Sequence, residues 1–155
     1  MNIERTFVAI KPDAVQRGLI GKIVTRFEEK GFKIIGMKMI HVTPEIAAKH
    51  YEEHIGKPFY PSLVKFITSA PIIAMVVEGI DAVNEVRHIM GATNPQNADV
   101  GTIRADFSPL MSTNSVHGSD SVQSAEREIG IYFKQEEICP NWKTMMELII
   151  DEQSK

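Results

Sequence analysis

The chain has 155 residues, 17 basic and 20 acidic side chains, a formal net charge of -3, 43% apolar residues and 24% charged ones. That length fits one globular domain, residues 1–155, and near-average composition excludes disordered, collagen-like and coiled-coil chains. The mild acidity argues against dedicated nucleic-acid binding, which needs a basic excess or stripe.

Residues 6–11, Thr-Phe-Val-Ala-Ile-Lys, are β-branched and apolar, and Pro12 stops them, which predicts a buried strand. Ile20, Ile23, Val24 and Phe27 recur at helical spacing, with Gly31 as the stop. Residues 32–42 alternate Ile35, Met37 and Met39 against Lys38, predicting a second strand with those three on one side. Residues 44–54 and 61–68 read as a helical hairpin joined by Ile-Gly-Lys-Pro. Residues 71–78 predict a third strand. Asp81 is placed as the cap of a helix with Val83, Val86, Ile89 and Met90 on its apolar face, ended by Gly91.

No period persists over residues 91–116, a stretch long enough to be a functional loop. A short strand is expected at 115–117. After it, Asp120 and Gln123 have capping-box spacing before a helix through Val122, Ala125, Ile129 and Tyr132. The order fits an α+β chain with a ferredoxin-like β-α-β-β-α-β antiparallel sheet, helices on one face, elaborated by an inserted helical hairpin and the long loop.

The lone Cys139 can neither close an intrachain disulfide nor build a Cys-rich zinc site, which points to a reducing, cytoplasmic location. The first residues lack a basic-then-apolar leader. The longest apolar run, 72–77, falls far short of the roughly 20 residues of a membrane helix, so no membrane association is expected.

Gly18-Leu19-Ile20-Gly21-Lys22 fails as a Walker loop on spacing and reads as a turn. His50-Tyr51-Glu52-Glu53-His54 matches the two-His zinc pattern, with Glu53 as base. It has no visible third ligand, and a solvated helix face is the better account of it. The strongest signal is Asn114-Ser-Val-His117-Gly-Ser119-Asp120, a His at a strand end among small residues. A neutral imidazole is nucleophilic near pH 7, and a carboxylate on its other nitrogen selects the tautomer and stabilises the charged product; Glu128 is a candidate. Lys11, Thr93, Arg104 and Asn114 suit a polyphosphate.

Asn114-x-x-His117-Gly118-Ser119-Asp120, the 6–13 strand motif and Gly91-x-Thr93-Asn94-Pro95 together resemble the nucleoside diphosphate kinase family over nearly the whole chain. The resemblance implies transfer of the γ-phosphate from a nucleoside triphosphate to a nucleoside diphosphate, in ping-pong fashion, through a phosphohistidine at His117. Mg²⁺ would ride on the nucleotide phosphates, with no metal ligand from the protein. Lys11 and Tyr51 would reach the transferred phosphoryl; Arg87, Thr93 and Arg104 the inner phosphates; Asn114 and Lys11 the ribose. Ser119 and Glu128 would orient the ring, and Phe59 would stack on the base with Leu63 behind it, giving broad base specificity. Met111, near the base, departs from the smaller aliphatic residue common in the family, and Val100 from a common proline. The resemblance implies a homo-oligomer, hexamer or tetramer, with hexamer preferred. Residues 143–155 extend beyond the usual ending and are expected to dock on their own or a neighbouring subunit.

Overall fold

Two strands hold the centre of the molecule because both of their faces are apolar. In β1 (Ile3–Ile10) every residue from Thr6 onward is buried, and in β3 (Ile72–Ile80) every residue from Ile72 to Val77. They pair antiparallel from Ile3↔Ile80 to Ile10↔Ile73. β2 (Lys33–Ile40) adds outside β3 and the short β4 (Val116–Gly118) outside β1, giving the order β2-β3-β1-β4 with all neighbours antiparallel. The computed structural model describes residues 2–155; Met1, the first residue of the expected domain, lies outside the described residues.

The helices are α1 (Pro12–Gln16), α2 (Ile20–Glu29), α3 (Pro44–His50), α4 (Tyr60–Ile67), α5 (Ala82–Met90), α6 (Ile103–Phe107), α7 (Val122–Tyr132) and α8 (Met145–Gln153). They cover both faces of the sheet, which corrects the expectation of helices on one face. Val8, Ile10, Ile73, Met75 and Val77 pack with Ile23 and Phe27 of α2 and Val86 and Met90 of α5. Phe7, Ala9, Ile72, Ala74 and Val76 pack with Ala47 of α3, Ile67 of α4 and Tyr132 of α7. Strands buried on both sides read as continuous apolar runs, and the inserted hairpin and α7 supply the second cover.

Several local expectations change for physical reasons. A bulge between Ile34 and Gly36 makes Ile35 an extra residue in β2. Its extra half-pleat sends Met37 and Met39, 45% and 57% exposed, to the face opposite buried Ile35. Asp81 stands at the N-cap of α5 in the left-handed region at φ 49° but makes no cap bond. The carboxylate of Glu4, arriving from β1, accepts from the Val83 amide at 3.3 Å instead. The cap of α7 is Ser121, whose hydroxyl accepts from the Ser124 amide at 3.0 Å, rather than Asp120.

The 91–116 stretch is folded. Asn94 caps a turn at Pro95–Asn97, Thr102 caps α6, and Leu110 bridges to Thr113. Gly91 enters it at φ +86°, where an added Cβ would lie 2.5 Å from the Thr102 hydroxyl, so only glycine fits. Beyond Trp142, α8 opens on a capping box of Thr144 and Glu147. Lys33 reaches the Trp142 carbonyl at 2.8 Å and Glu147 at 3.4 Å, while Met145, Met146 and Ile150 stay exposed.

Candidate active site

The site grows from the ends of β1 and β4. His117 pairs with Ala9 across the ladder, and Lys11 continues β1 by donating its amide to the Ser115 carbonyl at 2.8 Å. Ladder pairing thus brings residues far apart in sequence to one edge. Gly118 follows His117 because α5 crosses close by: a Cβ there would meet Met90 sulfur at 3.0 Å.

The His117 Nε2 is hydrogen bonded to Glu128 Oε1. Glu128 is buried on α7, so the pair fixes the ring orientation and leaves Nδ1 as the ring nitrogen without a protein partner. Ser119 is also buried, yet its hydroxyl has no hydrogen-bond partner, so Glu128 and not Ser119 orients the imidazole in this state.

A second histidine, which the sequence reading did not place in the site, stands beside the first. His50 and His117 rings lie 4.6 Å apart edge to face. Nδ1 of His50 is 2.7 Å from the Tyr132 hydroxyl, and Nε2 is 3.5 Å from Glu128 Oε1. Burial, reinforced by the charges of His117, Arg127, Lys11 and His54, pushes the His50 imidazole down to about 2. The approach to Glu128 is therefore that of a neutral ring, not an ion pair. The zinc pattern that suggested His50, Glu53 and His54 is broken, because α3 ends at His50 and a tighter turn follows at Glu52–His54.

Tyr51 joins His50, His117 and Glu128 around a hollow of about 190 Å³. Burial and the Glu128 charge push its phenol up to about 12, keeping it a neutral donor. On the other side, Lys11 Nζ donates to Asn114 Oδ1 at 2.8 Å, and Asn114 Nδ2 donates to the Thr93 carbonyl at 3.1 Å. Ser115 holds φ +71°, an uncommon conformation for a non-glycine residue. Its hydroxyl donates to Asp13 at 3.0 Å and receives from Ser108 at 2.7 Å, which fixes the backbone on which Asn114 sits.

Arg104 is buried and donates to three carbonyls, Asn114 at 3.3 Å, Gly91 at 2.9 Å and Val116 at 2.8 Å. Sequence reading assigned it to phosphate; the fold also gives it a bracing role, with two of its five N–H groups left over. Burial and the neighbouring charge of Arg87 lower it to about 10, which leaves it cationic at neutral pH. Arg87 and Thr93 are exposed along an adjoining hollow of about 760 Å³. Phe59 is exposed at the start of α4, with Leu63 one turn on and Lys57 5.8 Å over its ring, so it is no core side chain. Met111 is exposed on the turn that Leu110 and Thr113 close, and Val100 is fully exposed. Of the buried carboxylates here, Asp13 accepts from Ser115 through Oδ2 while its Oδ1 has no partner among the described residues, and Glu128 Oε1 pairs with His117.

The family model for nucleoside diphosphate kinase matches residues 4–138. The chain belongs to the nucleoside diphosphate kinase family. A nucleoside diphosphate kinase of Desulforamulus reducens is 57% identical over 136 residues, 88% of this chain and 91% of that protein. One from Bacillus thuringiensis is 54% identical over 147 residues, 95% and 99% of the two chains. The halophilic nucleoside diphosphate kinase of Halobacterium salinarum, solved in complex with CDP, superposes with a TM-score of 0.91 at 48% identity, covering 96% of this chain and 99% of that one. As a nucleoside diphosphate kinase, the chain is a phosphotransferase that moves a phosphoryl group from a nucleoside triphosphate to a nucleoside diphosphate. Among the described residues no helix is long and apolar enough to cross a membrane.

Lys11 gives this kinase site a pH signature. Burial, then the charge of Arg104, lowers its ammonium from 10.5 to about 8, against a smaller raising effect of Asp13. Between those values the folded, nucleotide-free chain has released a proton that the unfolded chain keeps, so the Lys11 contribution to stability rises with pH across that window. A polyphosphate held against Lys11, as the family resemblance implies, would restore the charge. Nucleotide binding near pH 8 is therefore expected to take up a proton, read as a calorimetric enthalpy that varies with the ionisation heat of the buffer and no longer does so in Lys11→Met. Identical enthalpies in every buffer with the unsubstituted protein would contradict this.

Proposed function

We propose that the transfer proceeds in two halves through a phosphohistidine on His117. Nδ1 attacks the γ-phosphorus, the bond from that phosphorus to the bridging oxygen breaks, and the nucleoside diphosphate leaves with the electron pair. A second nucleoside diphosphate then attacks the same phosphorus through a terminal oxygen, the N–P bond breaks, and the ring is regenerated. The observation that carries this is the His117–Glu128 pair: a buried carboxylate on Nε2 holds the tautomer in which Nδ1 is the free nucleophile and stabilises the imidazolium that forms.

Lys11 and Tyr51 meet the transferred phosphoryl, Arg87, Thr93 and the spare donors of Arg104 the inner phosphates, and Asn114 with Lys11 the ribose. Ser119, with its unpaired hydroxyl, remains a positioning candidate. Mg²⁺ is carried on the nucleotide phosphates, where it neutralises charge. The cluster of possible metal ligands among the described residues, His50, His117 and Glu128, offers two imidazoles and one carboxylate rather than the oxygens Mg²⁺ prefers, which supports a Mg²⁺ held by substrate oxygens. Incubation with Mg²⁺ and γ-labelled triphosphate tests the reading: an acid-labile, base-stable phosphoprotein is expected, and its absence refutes the mechanism.

Phe59 stacks on the base, with Leu63 behind it and Met111 beside the base. A ring face accepts every base, so specificity is broad. Phe59→Ala is expected to raise KM by roughly 5- to 150-fold, from about 1–3 kcal/mol of lost stacking, with similar factors for purine and pyrimidine nucleotides in steady-state assays. A loss confined to one base would refute broad stacking.

The enzyme works in the cytoplasm to maintain nucleoside triphosphate pools, as one domain over 1–155 with 143–155 as an extension. It is a homo-oligomer, a hexamer rather than a tetramer. Exposed Met37 and Met39 on edge strand β2 support self-association, and sedimentation decides the number.

A further inference from the structure

We propose that His50 Nε2, His117 Nε2 and Glu128 Oε1 form a three-ligand site for Zn²⁺ whose occupancy shuts off phosphoryl transfer. One ligand atom from each of the three residues lies within 4.8 Å of the others. A tetrahedral zinc with bonds of about 2.0–2.2 Å has ligand–ligand edges of roughly 3.4 Å, and the His50 Nε2 to Glu128 Oε1 edge is already 3.5 Å. The His117–Glu128 edge is shorter because a hydrogen bond closes it, and it opens when the ion replaces the shared proton.

His50 is the second observation that points to a ligand. Its side chain is 6% exposed, and Nε2 has no hydrogen-bond partner although it faces Glu128 at 3.5 Å. A buried polar atom left this way costs stability unless something else fills the place. Its other nitrogen is held by the Tyr132 hydroxyl at 2.7 Å, and Tyr132 is itself stacked on Phe7 with ring centres 4.5 Å apart. Such an outer partner fixes a metal-binding imidazole in orientation and tautomer. The hollow of about 190 Å³ beside the three groups has room for a water as fourth ligand, open to solvent. Two imidazoles and one carboxylate suit zinc and not Mg²⁺, which prefers six oxygens.

The inhibitory consequence rests on the reading of His117 as phosphoryl carrier; the binding itself does not. Zinc on Nε2 withdraws electron density from the ring and neutralises Glu128. Nδ1 becomes a poorer nucleophile, and the positive charge that develops on phosphorylation meets a cation instead of a carboxylate.

The test has two separate readouts on the full chain. Calorimetry with Zn²⁺ alone, without nucleotide, is expected to give one tight site per chain, lost in each of His50→Gln, His117→Gln and Glu128→Gln. Zinc bound equally well by any of the three variants overturns the site. Should a variant fail to fold, ring-nitrogen NMR of the unsubstituted protein decides: Zn²⁺ is expected to shift the Nε2 signals of His50 and His117 and leave those of His41 and His88 in place, and the reverse pattern overturns the proposal. With the unsubstituted protein, free Zn²⁺ buffered at ten times its Kd is expected to lower initial label incorporation from γ-labelled triphosphate about tenfold. Unchanged incorporation at that occupancy overturns the inhibitory claim. Absence of any label in zinc-free buffer would instead sink the phosphohistidine, with the zinc titration still standing or falling alone.

Discussion

His117→Gln is expected to lower nucleotide exchange by roughly 10⁴- to 10⁶-fold, the scale seen when a covalent nucleophile is deleted, and to abolish phosphoprotein formation. The amide can still donate to Glu128, so the buried carboxylate keeps a partner and the fold survives. What disappears is a lone pair able to form a bond to phosphorus. KM should move far less than kcat, because the substrate contacts proposed for Lys11, Asn114 and Phe59 are left in place. Radiolabel exchange between nucleotides checks the rate and circular dichroism the fold. Exchange at an undiminished rate in a folded variant would show that another group carries the phosphoryl.

Arg104→Lys is expected to loosen the loop that Arg104 braces, beyond any effect on the phosphate contact proposed for it. A lysine keeps the charge but is a single point donor, so it cannot satisfy the carbonyls of Gly91, Asn114 and Val116 at once. Leaving the Gly91 and Val116 carbonyls unpaired, at about 1–3 kcal/mol each, predicts a loss of about 2–6 kcal/mol. For a domain of this size that is a Tm lower by on the order of 10 °C. Activity should fall with it, since Asn114 and the backbone on both sides of His117 lose their brace. A residue that only binds phosphate would leave the Tm of the nucleotide-free protein unchanged, so calorimetry separates the two roles.

The sheet was legible because its central strands are unbroken apolar runs, and the long helices because they show a clean period. What escaped the sequence were features too short to repeat or dependent on distant partners. α1 and α6 span barely more than a turn each. The bulge that turns Met37 and Met39 outward leaves no local mark, and the cap of α5 comes from Glu4 on another strand. In the site, His117 ends a short strand and Glu128 lies two turns into the helix that follows, so spacing made Glu128 a candidate partner. Lys11 and Asn114 were singled out through motifs, and the fold brings them into direct contact. His50 was drawn into a helical zinc pattern with His54, because nothing in the sequence reveals that α3 stops there. The bracing role of Arg104 was invisible, since its partners are backbone carbonyls that carry no residue identity.

One guanidinium fastened to Gly91, Asn114 and Val116 ties down both ends of the 91–116 segment. That segment cannot swing away without breaking three hydrogen bonds together, two of them buried. Slow amide exchange in that segment beside fast exchange in the hairpin that carries exposed Phe59 is the dynamic signature this asymmetry implies.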